Sequence, residues 1–104
     1  MSVAVFASAQ CPSSLNTFTV PAGDTWLVQQ IHFVNTDTTA HYVTFYAKPA
    51  GSNIPIINSQ VIAGNTTYDL YLTPGLALPA AGTFGFSSDY IGVYCTVMGT
   101  RTTP

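Results

Sequence analysis

No stretch of this chain keeps an apolar residue every three to four positions over three turns, as an amphipathic helix must. Alternation at every second residue recurs from end to end instead, carried by Val, Ile, Thr, Tyr and Phe, whose branched or aromatic side chains suit a pleated surface. The pattern predicts strands at 3–8, 18–20, 25–35, 41–48, 54–62, 66–73, 76–78, 83–87 and 90–100. Short strands at this spacing, with no crossover helix among them, predict an all-β, single-domain antiparallel β-sandwich of jelly-roll type over residues 1–104. Residues 1–17 read as an N-terminal arm or edge strand. They lack the basic start and the apolar run of roughly 7 to 15 residues that mark a signal peptide.

The punctuation between strands is legible. Val20-Pro21-Ala22-Gly23 and Lys48-Pro49-Ala50-Gly51 each place Pro second and Gly fourth, as type I turns do, and should reverse the chain. Thr73-Pro74-Gly75-Leu76 fits a type II turn, which should separate two short strands. The form V-x-A-G-D/N-T occurs at Val20 and again at Val61, and Ala81-Gly82-Thr83 repeats part of it. Glycine is expected to supply a left-handed residue there, with Asp, Asn or Thr pairing with freed backbone amides.

Strict alternation assigns faces. Leu27, Gln29, Ile31 and Phe33 fall on one side of the strand at 25–35, and Trp26, Val28, Gln30, His32 and Val34 on the other. In the same way Val43, Phe45 and Ala47 oppose Tyr42, Thr44 and Tyr46, while Ile91, Val93, Cys95 and Val97 oppose Tyr90, Tyr94, Thr96 and Met98. Both sides are apolar enough to be covered. One should fill the sandwich and the other should meet a neighbouring subunit.

Charge supports that division. Only 6% of the residues are charged, against about 25% in an average soluble domain. A surface of neutral hydroxyls and amides is readily desolvated, which points to a homo-oligomer or another permanent assembly. Two cationic side chains and a net charge of −2 argue against nucleic-acid binding. The apolar runs are far shorter than the roughly 18 to 20 residues of a membrane helix. Cys11 and Cys95 make neither a C-x-x-C motif nor a disulfide framework, and read as two reduced thiols.

Candidate chemistry is thin. His32 and His41 flank the turn at 35–40 and would approach each other if their strands formed a hairpin, yet the chain has no glutamate and no third ligand nearby. No metal site or cofactor follows. Cys95 alternates with Val93 and Val97, the pattern of a buried thiol with a raised pKa, so a Cys-His-Asp nucleophile is not supported and the chain reads as non-enzymatic. Asp24, Asp37 and Asp89 sit at turn positions, and only Asp69 lies within a strand. Asn65-Thr66-Thr67 matches the glycosylation sequon without a secretion signal beside it. The aromatic set suits protein interfaces better than sugar stacking. The candidate interface is Trp26, Gln30, His32, Tyr42, Tyr46, Tyr71 and Tyr94.

One resemblance adds to this reading. Phe18-Thr19-Val20-Pro21-Ala22-Gly23 leads into an apolar strand ending in Asn35-Thr36, followed by a strand at 42–47. Val61-Ile62-Ala63-Gly64-Asn65-Thr66, the segment 76–82 and a closing Ile91-Gly92-Val93-Tyr94 strand complete the pattern. Laid out in this way, the chain resembles the small β-sandwich virion structural proteins of tailed bacteriophages. The resemblance implies a capsid decoration or cement protein that binds between neighbouring subunits, with a major capsid protein or another virion protein as partner and the virion, assembled in the host cytoplasm, as location. A tail or head-fibre component that binds carbohydrate or a receptor is the alternative it implies.

Overall fold

The structure, a computed structural model, describes residues 2–14, 16–90 and 92–102. Among the described residues eight strands form: β1 (Ser2–Gln10), β2 (Phe18–Thr19), β3 (Thr25–Asn35), β4 (His41–Lys48), β5 (Ile54–Ile62), β6 (Thr67–Leu78), β7 (Thr83–Ser88) and β8 (Val93–Thr102). They build two antiparallel four-stranded sheets, ordered β1-β8-β3-β6 and β2-β7-β4-β5. Only β4 and β5 are hairpin neighbours; every other connection passes from one sheet to the other, which is the jelly-roll arrangement of an all-β sandwich. β1 lies at the edge of the first sheet, paired with β8.

The core lies between the sheets. Phe33, Phe45, Phe86, Ile31, Val43 and Val97 are wholly buried there. Burying each such side chain favours folding by about 1.5–3 kcal/mol, so apolar alternation on the facing sides drives the two sheets together. Phe84 stacks on Phe18 and Phe45 at centroid separations of 5.2 and 5.6 Å. Cys11 and Cys95 are both free and buried; burial pushes the Cys11 thiol up to about 12 and Cys95 higher still.

Three local expectations change, each for a backbone reason. First, β3 carries an extra residue at Gln29: its pairing with β8 steps from Val28 opposite Gly99 to Gln30 opposite Met98. Phase inverts across that bulge. Trp26 and Val28 therefore join Ile31 and Phe33 on the inside, while Leu27 leaves the core cluster. The bulge also presses β3 onto β8. A Cβ on Gly99 would stand 1.8 Å from the Leu27 carbonyl oxygen, so the crossing admits only glycine.

Second, Pro74-Gly75 does not divide two strands. β6 runs on from Thr67 to Leu78, because both flanks pair with β3: Tyr71 lies opposite Gln30 and Leu76 opposite Val28. The residues between form a bulge, with Gly75 at φ 137°. Third, the repeated A-G motif is not one glycine geometry. Gly23 is left-handed (φ 85°), but in the second copy Asn65 takes that role (φ 55°) and in the third Ala81 does (φ 69°). Gly64 is required for space instead: a Cβ there would meet the Thr38 carbonyl oxygen at 2.2 Å. The Pro21 turn also falls one residue later than expected, closed by the Asp24 amide donating to the Pro21 carbonyl (3.2 Å), and it links the two sheets.

Candidate functional site

The outer face of the β1-β8-β3-β6 sheet is the most extended feature that the fold leaves uncovered. Register stacks its side chains in rows across four strands. Gln10, Tyr94, Val34 and Thr67 form one row; Ser8, Thr96, His32 and Asp69 the next; Val5, Met98, Gln30 and Tyr71 the third. Val3 is 90% exposed, Val5 60%, Tyr71 66% and Tyr94 46%, values that leave an apolar surface in water.

The polar groups of its two central rows are paired within the face. The His32 imidazole Nδ1 and the Asp69 carboxylate are in direct contact across β3 and β6. Gln30 donates through Nε2 to Asp69 Oδ1 (3.1 Å) and to the Tyr71 hydroxyl (3.3 Å), and the Ser8 and Thr96 hydroxyls bond at 3.2 Å. The hydrogen bond from His32, with that from Gln30, holds the Asp69 carboxyl below the usual carboxylate range against its partial burial. What solvent meets is a largely apolar surface with a cavity of about 190 Å³ among Val3, Gln29, Gln30, Met98 and Gly99.

A second polar cluster closes one end of the sandwich. His41 stands between two carboxylates, with Nε2 at 2.6 Å from Asp37 Oδ2 and Nδ1 at 3.1 Å from Asp89 Oδ2. Its ring stacks on Tyr90 at 4.3 Å. Beneath it, buried Asn35 donates through Nδ2 to the carbonyls of Thr39 (2.9 Å), Ile62 (3.1 Å) and Ala63 (3.4 Å), and accepts from the Asp37 amide (3.0 Å). The hydrogen bonds from Asp37 and Asp89 raise the His41 pKa. Asp37 is lowered by its bonds to His41, Thr39 and the Thr38 amide. For Asp89 partial burial is the largest influence and opposes the shift, but the bonds from His41 and the Tyr42 amide together bring it down.

These directions set a pH window. The carboxylates contribute their full share of stability above their unfolded value of 3.8 and lose it as the pH falls through their lowered folded values. His41 contributes fully below 6.5 and loses its share as the pH rises through its raised folded value. The melting temperature should therefore be highest between about pH 4 and 6.5. In His41→Gln the decline above that range should flatten, as thermal unfolding followed from pH 4 to 9 would show.

The candidate interface residues do not form one surface. Gln30, His32, Tyr71 and Tyr94 share the outer face just described, whereas Tyr42 and Tyr46 project from the opposite sheet. Trp26 lies inside, stacked on Phe6 at 4.5 Å and donating through Nε1 to Asp24, which also pairs with Arg101 at 2.9 Å. His32 and His41 do not approach as a hairpin, because β3 and β4 belong to different sheets. His32 has an acid beside it instead, Asp69 of β6. Among the described residues no group of three or more His, Cys, Asp or Glu side chains is placed to hold a metal ion. The sequence reading passed over Asn35, whose position at the end of an apolar strand ahead of Thr36-Asp37 was the available signal.

No known protein-family model matches this chain, and no curated protein matches it in sequence. Among solved structures it is similar to the NLP core from Drosophila, described in terms of pentamer formation and histone binding. The likeness covers 99% of this chain and 100% of that one, with a TM-score of 0.59 and 15% identity. It overturns the capsid-decoration reading. The decoration or cement role, the tail-fibre alternative and the major capsid protein as partner were inferred from turn and core residues that report the sandwich itself, and that sandwich is carried by a pentamer-forming, histone-binding core. Of those expectations, the β-sandwich and the homo-oligomer fit this neighbour.

Proposed function

We propose that this chain is a non-enzymatic, self-assembling scaffold subunit, which buries the outer face of its β1-β8-β3-β6 sheet against a neighbouring copy. The observation that carries this reading is the apolar, internally hydrogen-bonded character of that face. Its one carboxylate, Asp69, is held by His32 and Gln30, and the exposed surface around them is Val, Tyr, Met, Thr and Gln. Association with a second copy removes apolar area from water while the carboxylate keeps its hydrogen bonds. Four strands about 4.8 Å apart and roughly eight residues long present about 500 Å². Two such faces reach roughly 1,000 Å², the lower bound for a specific contact.

The opposite sheet is less suited. It carries Lys48, and β5 pairs with β4 through two register shifts, one at Ser59, which has a φ of 54°, and one at Ile56. The pentamer-forming neighbour supports assembly of this fold. Its histone binding does not transfer on charge grounds: all four acidic side chains of this chain are engaged internally, Asp24 with Arg101, Asp37 and Asp89 with His41, and Asp69 with His32. A non-enzymatic role is supported by the two buried thiols and by histidines committed to carboxylates.

Light scattering of the purified chain should give a discrete multiple of its 11.0 kDa mass. Core histones added at physiological salt should not co-elute with it. A stable monomer at tens of micromolar would reject the assembly reading, and histone capture would reject the charge argument.

A further inference from the structure

Among the described residues almost every charged side chain has an ionisable partner of opposite type beside it; Lys48 is the exception. Arg101 pairs with Asp24, and each histidine pairs with aspartate. Lys48 has neither an ion pair nor a side-chain hydrogen bond among the described residues. It stands at a cleft of about 250 Å³ on the outer side of the β2-β7-β4-β5 sheet.

The cleft is built by the register of β4 on β7. Tyr46 lies opposite Gly85 and Lys48 opposite Thr83, so glycine leaves a floor without a side chain beside the Tyr46 ring. Asn16 and Thr17 line it from the segment before β2, and Asn53 from the loop after β4. Asn16 is held in place, its Oδ1 accepting from the Phe86 amide at 2.8 Å, which leaves its Nδ2 as a free donor among the described residues. The Tyr46 hydroxyl, the Asn53 amide and the Thr17 hydroxyl likewise have no intramolecular partner among the described residues.

These donors converge where a single uncompensated positive charge also sits. On the sheet's other half, polar groups satisfy one another, as Asp89 does with the Tyr42 amide at 2.7 Å. We propose that this cleft binds a small carboxylate with a flat body, its oxygens on Lys48 and the neighbouring amide and hydroxyl donors and its planar part on the Gly85 floor against Tyr46. A charge-assisted contact to Lys48 supplies most of the selectivity, because such bonds are roughly twice as strong as neutral ones. The volume is that of about eight water molecules, enough for one ring bearing a carboxylate. The site is separate from the proposed assembly face, which lies on the other sheet.

Benzoate is the probe, titrated into the isotope-labelled full chain and followed by amide shifts. Saturable shifts are expected at Lys48, Thr83 and Gly85 with an affinity of about millimolar strength, as a ligand of this size allows. Benzamide, the neutral analogue, should bind at least about tenfold more weakly, and Lys48→Gln should weaken benzoate by a similar factor. Val61→Thr, at the other end of β5 opposite Tyr42, should leave binding unchanged. Lys48 is exposed, so its variant is expected to fold normally, and an unaltered amide spectrum without ligand checks this. Absence of saturable shifts, equal binding of benzamide, or full binding by Lys48→Gln would overturn the proposal. Inorganic phosphate binding more tightly than benzoate would overturn the carboxylate class.

Discussion

Alanine at Asn35 should destabilise the protein by roughly 3–6 kcal/mol, a large part of the roughly 5–15 kcal/mol that a domain of this size has in total. Asn35 is 1% exposed and satisfies the Thr39 and Ile62 carbonyls and the Asp37 amide. Each buried polar group left unpaired costs about 1–3 kcal/mol, and alanine replaces none of those bonds. Two connections meet at this amide, residues 36–40 after β3 and the β5–β6 turn that supplies the Ala63 carbonyl, and beside it the Thr36 hydroxyl donates to the Gly92 carbonyl at 2.6 Å and ties in the segment before β8. Asn35→Asp separates hydrogen bonding from size. A carboxylate fills the same space but only accepts, so it turns two donors into repulsion against carbonyl oxygens and should be at least as damaging as alanine. Urea unfolding of both variants measures this. Losses below about 0.5 kcal/mol, the level of an ordinary surface substitution, would show that the amide does not hold this end together.

Lysines at Val5 and Tyr71 together should abolish self-association while leaving the fold intact. Both side chains lie in the row that crosses the outer face at Met98 and Gln30, and they are 60% and 66% exposed, so the monomer barely registers the change. In an assembly each ammonium would be buried without a partner, at an effective cost of several kcal/mol per ion. A weakening of more than about a hundredfold follows, since every 1.4 kcal/mol is a factor of ten. Tyr42→Lys on the other sheet should leave the molar mass of the assembly unchanged. Circular dichroism and melting temperature separate loss of assembly from loss of fold.

Much of the architecture was legible because period-two alternation is a local signal. The strands at 25–35, 41–48 and 54–62 follow directly from it, and β3, β4 and β5 span those residues. The bulge at Gln29 was not legible, since Leu27 and Val34 keep both faces of the strand apolar and hide the change of phase; it shows only once β8 is aligned beside it. Trp26 was misplaced for that reason alone. Pro74-Gly75 has the chemistry of a turn, but pairing of both flanks with β3 overrides it. The His32–Asp69 contact joins residues 37 positions apart through the β3–β6 register, which the sequence does not encode in any short window. Asp89 reaches His41 from 48 positions away, across the β7–β8 connection. The candidate interface was thus partly recoverable as residue types, but its division between two sheets depended on topology.

Tyrosine footprinting of the assembled protein tests the central claim most directly. In the isolated subunit Tyr71, Tyr94 and Tyr42 are comparably exposed, at 66%, 46% and 54%, so each is its own reference. Assembly through the β1-β8-β3-β6 face should protect Tyr71 and Tyr94 from iodination while Tyr42 keeps its reactivity, and dilution to monomer should restore the first two. Equal reactivity at all three in the oligomer, or protection of Tyr42 alone, would contradict the assignment of that face.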